Sequence, residues 1–231
     1  MAATPVVCIP GTLCDERIFQ TATQGLEVPV IYWRYSQFVD SMPCSEWGAH
    51  MLSHLPPRFA VVGFSLGGLL ALALSDLDPH RVAGLALVAS NAEAGRPAHQ
   101  VQKHSLLKVW DEGGCAAVVG QLLPRYGLRD IKHSADIGHM ASHYTQPLFA
   151  QQLELAANRP DRGEVWRRAP GPALIISGQR DTLCPPAVQA RLHELRPDAH
   201  WLDLADSGHF PLLDEPQPCR TALRHWAQAL N

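Results

Sequence analysis

The chain has 231 residues, 46% of them hydrophobic and 18% charged, which is enough to bury a sizeable core in one domain. Its formal net charge of −3 gives no reason to expect nucleic acid or a membrane surface as a partner, and no apolar run approaches the length of a membrane span. The first residues lack the basic start of a signal peptide, and the six cysteines form no CxxC pair, so the sequence predicts reduced thiols in a cytoplasmic protein.

Six short apolar runs along the chain predict β-strands. Most of them are continuously apolar, which is typical of strands that are buried on both faces of a parallel sheet. Helical segments lie between them, and this alternation predicts an open α/β sheet. The predicted strands are Val6–Ile9, Val28–Tyr32, Ala60–Gly63, Val82–Ala89, Ala173–Ser177 and Trp201–Leu204. The predicted helices include Ser45–Leu55, Leu66–Leu77 and a C-terminal helix with Cys219, Leu223, Trp226 and Leu230 on one face.

One segment, from about residue 94 to residue 168, contains helical pieces and many polar residues but no convincing strand. A helical insertion after the fourth strand explains this segment better than one long loop would. We therefore expect a single domain over residues 1–231, with a core of residues 1–93 and 169–231. The segment at about 94–168 would form a helical cap, and we call it the cap segment.

A serine lies between two glycines where the third predicted strand meets a predicted helix, in the sequence Gly63-Phe64-Ser65-Leu66-Gly67. A nucleophile elbow requires this GxSxG pattern at a strand-to-helix junction, because side chains at the flanking positions would collide with neighbouring backbone. The turn exposes the serine hydroxyl at the end of the sheet, and the backbone N–H of Leu66 points towards a developing oxyanion. Ser65 is therefore the candidate nucleophile.

A serine nucleophile needs a base within hydrogen-bonding reach and an acid that orients the base. His209 follows the last predicted strand, in LADSGHFPLLDEP, and Asp181 follows the strand before it, in LIISGQRDTLCPP. Both loops open at the carboxyl edge of the sheet, as Ser65 does, and the order Ser, Asp, His is the expected one. We prefer Asp181 as the acid because it comes from a neighbouring strand end. The alternatives, nearer to the histidine in sequence, are Asp203, Asp206 and Asp214.

The first predicted strand leads into the loop Pro10-Gly11-Thr12, at the carboxyl edge beside the elbow. A backbone N–H of this loop would complete an oxyanion hole with the N–H of Leu66. Thr12 is the first candidate for this donor and Leu13 the second. The alternative is an ordinary turn before a helix that Asp15 opens, and such a turn would be compatible with the oxyanion role.

These motifs together resemble those of the α/β-hydrolase superfamily over nearly the whole chain. The resemblance rests on Pro-Gly after the first strand, GFSLGG at the elbow, GQRDTLCPP around the acid and SGHFPLLDEP around the histidine. It implies an α/β-hydrolase fold with about six mainly parallel strands flanked by helices and a helical cap insertion. The chain is similar to small carboxylesterases, which include the methyl esterase of biotin synthesis. It departs from the pattern by beginning at the position of the family's third strand and by having Pro10 where many members have histidine.

The motifs and the resemblance predict a serine hydrolase that cleaves a carboxylic ester of a small or medium acyl substrate through an acyl-enzyme. Ser65 would attack the carbonyl, His209 would take its proton and Asp181 would orient the imidazole. The N–H groups of Thr12 and Leu66 would bind the oxyanion. Two alternatives stay open: a carbon–carbon bond hydrolase, lyase or synthase of the menaquinone-pathway type with the same triad, and a binding protein that keeps the fold without turnover.

The sequence predicts no metal site and no cofactor. The pairs His50/His54 and His139/His143 have the i, i+4 spacing of zinc ligands on a helix. Neither pair has the glutamate of an HExxH motif, and the sequence places no third ligand beside them.

The cap segment carries ten Lys/Arg and seven Asp/Glu, hence +3, which leaves −6 for the rest of a chain with a net charge of −3. A cationic cap would steer acidic substrates towards Ser65, although a solvated helical surface explains the same count. The expected partner is a small-molecule ester or, as the resemblance implies, an acidic carrier-linked substrate, and the protein would be a monomer or homodimer. Phe149 and Gln152 would line the acyl channel. The arginines that would meet an acidic group are Arg125, Arg129, Arg159 and Arg162.

Overall fold

The structure, a computed structural model, describes residues 3–38 and 42–230. Six strands form one sheet in the order β2-β1-β3-β4-β5-β6, and every neighbouring pair is parallel. This confirms the predicted open parallel sheet. The strands are β1 (Val6–Ile9), β2 (Val30–Tyr32), β3 (Phe59–Phe64), β4 (Val82–Val88), β5 (Ala173–Gly178) and β6 (His200–Leu204).

The helices lie on both faces of the sheet and between β4 and β5. They are α1 (Arg17–Gln20), α2 (Trp47–His54), α3 (Leu66–Leu77), α4 (Pro97–Leu122), α5 (His133–Ala141), α6 (Gln146–Asn158), α7 (Gly163–Arg168), α8 (Pro186–Leu195), α9 (Pro211–Asp214) and α10 (Pro216–Gln228). Short 3₁₀ turns occur at Tyr35–Gln37, Cys44–Glu46 and Leu123–Arg125. Within the described residues, each helix is too short or too polar to cross a membrane.

The sheet divides the core into two layers. All residues of β1 are buried, and their side chains alternate, with Val6 and Cys8 in one layer and Val7 and Ile9 in the other. Helices α1 and α10 cover the first layer, and helices α2, α3 and α8 cover the second. Burial on both faces explains why the sequences of the inner strands β1, β3, β4 and β5 are almost continuously apolar.

Four helices, α4 to α7, occupy the cap segment between β4 and β5. Helix α4 packs against α6 and is broken at Gly114, whose φ of +68° lies in the left-handed region that favours glycine. The N-cap of α6 is Thr145, whose hydroxyl oxygen accepts the N–H of Leu148 at 3.4 Å. These helices match the predicted insertion after the fourth strand, and the division into core and cap at residues 93/94 and 168/169 stays a prediction.

Candidate active site

The elbow around Ser65 joins β3 directly to α3. Ser65 has φ +49° and ψ −114°, a strained backbone conformation for a residue with a side chain. A Cβ at Gly63 would lie 2.4 Å from the carbonyl oxygen of Gly67, and a Cβ at Gly67 would lie 2.0 Å from that of Ile9. Both positions therefore require glycine. The hydroxyl of Ser90 donates to the carbonyl of Ser65 at 2.8 Å and holds the turn.

Ser65, His209 and Asp181 lie in one hydrogen-bonded chain. His209 Nε2 lies 3.0 Å from Ser65 Oγ, and its Nδ1 lies 2.8 Å from Asp181 Oδ2. When the imidazole is neutral, these partners fit the tautomer in which Nδ1–H donates to the carboxylate and Nε2 accepts the serine hydroxyl. His209 and Asp181 are each 3% exposed. The structure thus brings together the three residues that the sequence analysis selected from distant parts of the chain.

Asp181 is held as an ionised acceptor. Its Oδ1 accepts the N–H groups of Leu183 at 2.7 Å and Cys184 at 2.9 Å, while Oδ2 faces His209. Burial alone would raise the pKa of this carboxyl, but the attraction and hydrogen bond of His209 and the two backbone N–H groups outweigh burial, so the pKa is lowered. Asp181 therefore presents a negative charge to the imidazole at neutral pH.

Two of the three alternative aspartates have other hydrogen-bond partners, and the third is exposed. Asp203 accepts hydrogen bonds from two side chains, in β5 and the turn after it, each at 2.9 Å. Asp206 is exposed. Asp214 accepts the N–H of Gly208 at 2.9 Å and so fixes the backbone immediately before His209.

Tyr126, in the cap segment, supports the histidine, and no sequence motif pointed to it. Its carbonyl accepts the N–H of His209 at 2.7 Å. Its ring stacks on the imidazole, with 5.8 Å between the centroids and 16° between the planes. The backbone contact and the stacked ring together fix where the imidazole lies relative to Ser65.

Two backbone N–H groups at or beside the elbow, those of Thr12 and Leu66, have no protein acceptor among the described residues. Leu66 is the first residue of α3, where the positive end of the helix dipole lies. The N–H of Leu13 is already used, because it donates to Gln152 Oε1 at 3.1 Å. Of the two loop candidates for the oxyanion hole, only Thr12 therefore has a free donor.

Comparison with known proteins agrees with this geometry. A model of the Alpha/beta hydrolase family matches residues 33–222. The chain belongs to this family. Its predicted α/β-hydrolase fold with a helical cap insertion is therefore confirmed, as is the prediction that it is an enzyme of the hydrolase class.

Curated relatives of this hydrolase include two proteins named pimeloyl-[acyl-carrier protein] methyl ester esterase. The protein from Aromatoleum aromaticum is 28% identical over 75% of this chain and 75% of its own length. The protein from Stenotrophomonas maltophilia is 30% identical over 73% of this chain and 69% of its own length. A solved structure of a thermophilic esterase from Thermogutta terrifontis, with malate bound, covers 99% of this chain and 91% of its own, with a TM-score of 0.88 and 21% identity. That last likeness shows a shared fold.

A cavity of about 220 Å³ opens above Ser65 in this hydrolase. Thr12, Leu66 and His209 line it together with Ser65, so the nucleophile, the base and the two residues with free N–H groups border one space. Much of its remaining wall is apolar and comes from the cap segment. Apolar residues of that wall include Leu106, Leu122, Phe149 and Leu153.

The two residues expected to line an acyl channel, Phe149 and Gln152, both lie on α6 but have different surroundings. Phe149 lines the cavity and stacks on Trp110, with ring centroids 5.0 Å apart. Gln152 is fully buried and, contrary to expectation, does not line the cavity. Its side-chain oxygen instead holds the N–H of Leu13, next to the candidate oxyanion donor Thr12.

The four arginines of the cap segment divide into two pairs. Arg125 and Arg159 line the cavity. Arg129 and Arg162 do not, and each faces a carboxylate, at 3.8 Å and 3.3 Å respectively. Of the four arginines expected to meet an acidic group of the substrate, only Arg125 and Arg159 therefore stay candidates.

One set of three metal-ligand atoms comes within 4.8 Å of one another in the part of the chain that the structure describes, and it belongs to Asp181, Cys184 and His209. Two of these residues already share the triad hydrogen bond. Burial raises the pKa of the Cys184 thiol to about 12, so that it stays protonated at neutral pH. The arrangement is accounted for by the triad and a neighbouring thiol.

Proposed function

We propose that this hydrolase cleaves a carboxylic ester through an acyl-enzyme on Ser65. The observation that carries the proposal is the unbroken hydrogen-bonded chain from Asp181 through His209 to Ser65, with distances of 2.8 and 3.0 Å, opening on a cavity. The two free N–H groups of Thr12 and Leu66 add the electrostatic partner that acyl transfer needs. The esterase names of the curated relatives support the same reaction.

In the acylation step, Ser65 Oγ attacks the ester carbonyl while His209 Nε2 takes the hydroxyl proton. The carbonyl oxygen becomes an oxyanion, which accepts the N–H groups of Thr12 and Leu66. Each such donor contributes about 10²–10³ in kcat. Asp181 stabilises the imidazolium that forms. When the intermediate collapses, the ester C–O bond breaks, and the leaving alkoxide takes the proton from His209.

In the deacylation step, water replaces the alcohol beside His209. Nε2 takes a proton from this water as the water oxygen attacks the acyl carbonyl, and the same two N–H groups bind the second oxyanion. The bond to Ser65 Oγ then breaks, the carboxylic acid leaves, and the proton on His209 returns to the serine. The cycle consumes one ester and one water and releases one acid and one alcohol.

The substrate we propose is a small ester, either free or linked to a carrier. A cavity of about 220 Å³ is smaller than the roughly 300–1,000 Å³ of pockets for drug-sized ligands, which suits a short acyl group. The curated relatives are named for a methyl ester on a carrier-linked acyl chain, so a carrier-linked methyl ester belongs to the proposed class.

A fluorophosphonate probe and a short p-nitrophenyl ester test the proposal. The wild-type protein should be labelled at Ser65 and should hydrolyse the ester, because the probe and the ester use the same nucleophile. Ser65→Ala should abolish labelling and lower kcat by about 10⁶-fold while the circular dichroism spectrum stays unchanged. Ser53→Ala, on the exposed face of α2, is the matched control and should behave as wild type.

The outcomes also separate the alternatives. A folded wild-type protein that the probe does not label would show a binding protein and refute the proposal. Labelling at Ser65 without turnover of any ester in a panel of acyl lengths would favour carbon–carbon bond cleavage by the same triad. Labelling that persists in Ser65→Ala would show that the nucleophile lies elsewhere.

A further inference from the structure

The charged residues that line the cavity above Ser65 are all positive. Lys103, Arg125 and Arg159 line it, and among the lining residues that the structure describes there is no aspartate or glutamate. Asp181 is only 3% exposed and lies behind His209, away from this wall. A cavity lined by one sign of charge raises the local concentration of ligands with the opposite sign.

Arg159 is the most unusual of these cations. It is 9% exposed, and its Nε donates to the carbonyl of Glu93 at 2.8 Å while its Nη1 donates to the carbonyl of Ala156. It has no ion pair with any described carboxylate. The side chain of Glu93 pairs instead with Arg96, at 2.9 Å, and with Arg191. A desolvated cation without a protein counter-ion is costly, so an anionic ligand would stabilise Arg159.

The pKa values of Arg159 and of its neighbour His99 are shifted in the direction that an unpaired positive charge produces. Burial lowers the pKa of the Arg159 guanidinium itself. His99, which also lines the cavity, has a lowered pKa because of burial and the positive charges of Arg159 and Arg96. Both shifts have the direction that an uncompensated positive charge beside a poorly hydrated space produces.

Apart from Arg125, the other cations of the cap segment that bear on the cavity are paired with carboxylates. Lys103 pairs with Glu154 on α6. Arg162 pairs with Asp76 at 3.3 Å and does not line the cavity. Arg125 is exposed, lines the cavity and has no ion pair within the described residues. The cavity therefore has two cations available to a ligand, a buried one at Arg159 and an exposed one at Arg125.

We propose that the substrate is a half-ester of a dicarboxylic acid, whose free carboxylate binds Arg159 inside the cavity and is attracted by Arg125. The proposal rests on the ester hydrolysis at Ser65 proposed above and names its substrate class. A planar guanidinium is suited to a carboxylate, because its N–H groups match the two carboxylate oxygens. The ester carbonyl would then lie at Ser65 and the free carboxylate at the far end of the same acyl chain.

Matched substrates test this inference. The charged substrate is a monomethyl ester of a dicarboxylic acid, taken from succinate to pimelate. Its neutral partner has a carboxamide in place of the free carboxylate. Wild type should prefer the charged substrate of the best chain length by about tenfold to a hundredfold in kcat/KM, the range for a charge-assisted hydrogen bond. Equal kcat/KM values at every chain length would overturn the inference.

Matched variants locate the effect. Arg159→Gln should remove the preference mainly by raising KM for the charged substrate, with kcat/KM for the neutral one changing less than about threefold. Arg125→Gln should weaken the preference in part, and more at low ionic strength because this side chain is exposed. The Arg162 side chain faces Asp76, so Arg162→Gln should leave kcat/KM for both substrates unchanged.

Three results would contradict the assignment or the function beneath it. If Arg159→Gln lowers kcat/KM equally for both substrates, the arginine only donates hydrogen bonds to the carbonyls of Glu93 and Ala156, and the inference is wrong. If that variant does not fold, the inference is still tested by the kcat/KM preference of wild type for the charged substrate and by the weaker preference expected of Arg125→Gln. A protein that hydrolyses the neutral ester without preferring the charged one refutes this inference alone, whereas failure to hydrolyse either ester or to be labelled at Ser65 refutes the proposed function.

Discussion

Gln152→Met tests whether the cap segment holds the oxyanion hole in place. Gln152 is fully buried on α6, and its Oε1 accepts the N–H of Leu13 at 3.1 Å. Leu13 has φ +57°, so its backbone is strained, and Thr12 precedes it directly. Methionine preserves the length and apolar stem of the side chain but offers only a weak acceptor. The variant would leave a buried N–H unpaired at a cost of about 1–3 kcal/mol.

The loop can relieve this cost only by moving, and the N–H of Thr12 would move with it. Losing one oxyanion donor entirely costs about 10²–10³ in kcat, so a partial displacement should lower kcat by about tenfold to a hundredfold. KM should change little, because these N–H groups bind the oxyanion more strongly than the ground-state carbonyl. The free energy of unfolding should fall by about 1–3 kcal/mol.

Gln151→Met is the matched control, because Gln151 lies beside Gln152 on α6 and makes the same kind of bond elsewhere. Its Oε1 accepts the N–H of Cys44 at 2.9 Å, away from the oxyanion loop. This variant should lose stability but keep kcat within about twofold. Steady-state kinetics on a neutral short ester, urea unfolding and the rate of fluorophosphonate labelling would be measured for both. A folded Gln152→Met protein with wild-type kcat, or equal losses in both variants, would refute the positioning role.

Three further predictions follow from single residues. Asp181→Asn should lower kcat by about 10⁴-fold. The folded-state pKa of Asp181 is lowered, so the stability from its ionised form is fully present above about pH 4 and is lost as pH falls through the folded pKa. The difference in the free energy of urea unfolding between wild type and Asp181→Asn should therefore be larger at about pH 7 than at about pH 3. Native protein treated with 5,5′-dithiobis(2-nitrobenzoate) should react first at Cys44 and Cys115, since the other four thiols are buried, and six fast thiols before unfolding would contradict this. Gly63→Ala should lower the free energy of unfolding by about 1–3 kcal/mol or more, because its Cβ would lie 2.4 Å from a backbone oxygen. Gly120→Ala is the control and should not lower the free energy of unfolding, because no atom lies within 4 Å of its new Cβ.

The four inner strands, β1, β3, β4 and β5, could be predicted because a strand that is buried on both faces has a nearly continuous apolar sequence. The edges of the elements were less accessible. The second strand was expected to begin at Val28 but begins at Val30, because Pro29 has no N–H and contributes only its carbonyl, which accepts the N–H of Val6 at 2.8 Å. Leu230 was expected on the C-terminal helix. It lies beyond the end of α10 but still packs in the same layer of the core.

The triad residues could be predicted because each follows a strand, and parallel strands bring their carboxyl ends to one edge. The roles of Tyr126 and Gln152 could not, because each residue acts on the backbone of a residue far away in sequence. No pattern of side chains encodes a backbone partner. Gln152 did offer one signal, since it is a polar residue between Phe149 and Leu153 on the buried face of α6, and a buried polar side chain needs a partner.

Helix α6 connects substrate binding to the oxyanion hole. Phe149 and Gln152 lie one turn apart on one face, and Arg159 follows the end of the helix after two further turns. Phe149 forms part of the cavity wall, Gln152 holds the loop of Thr12, and Arg159 presents a buried cation to the cavity. A ligand that binds Arg159 therefore acts on the same rigid element that fixes the oxyanion donor. Binding energy from a group remote from the ester, whose loss in Arg159→Gln would appear as a higher KM, is in this way applied to the helix that holds the loop of Thr12.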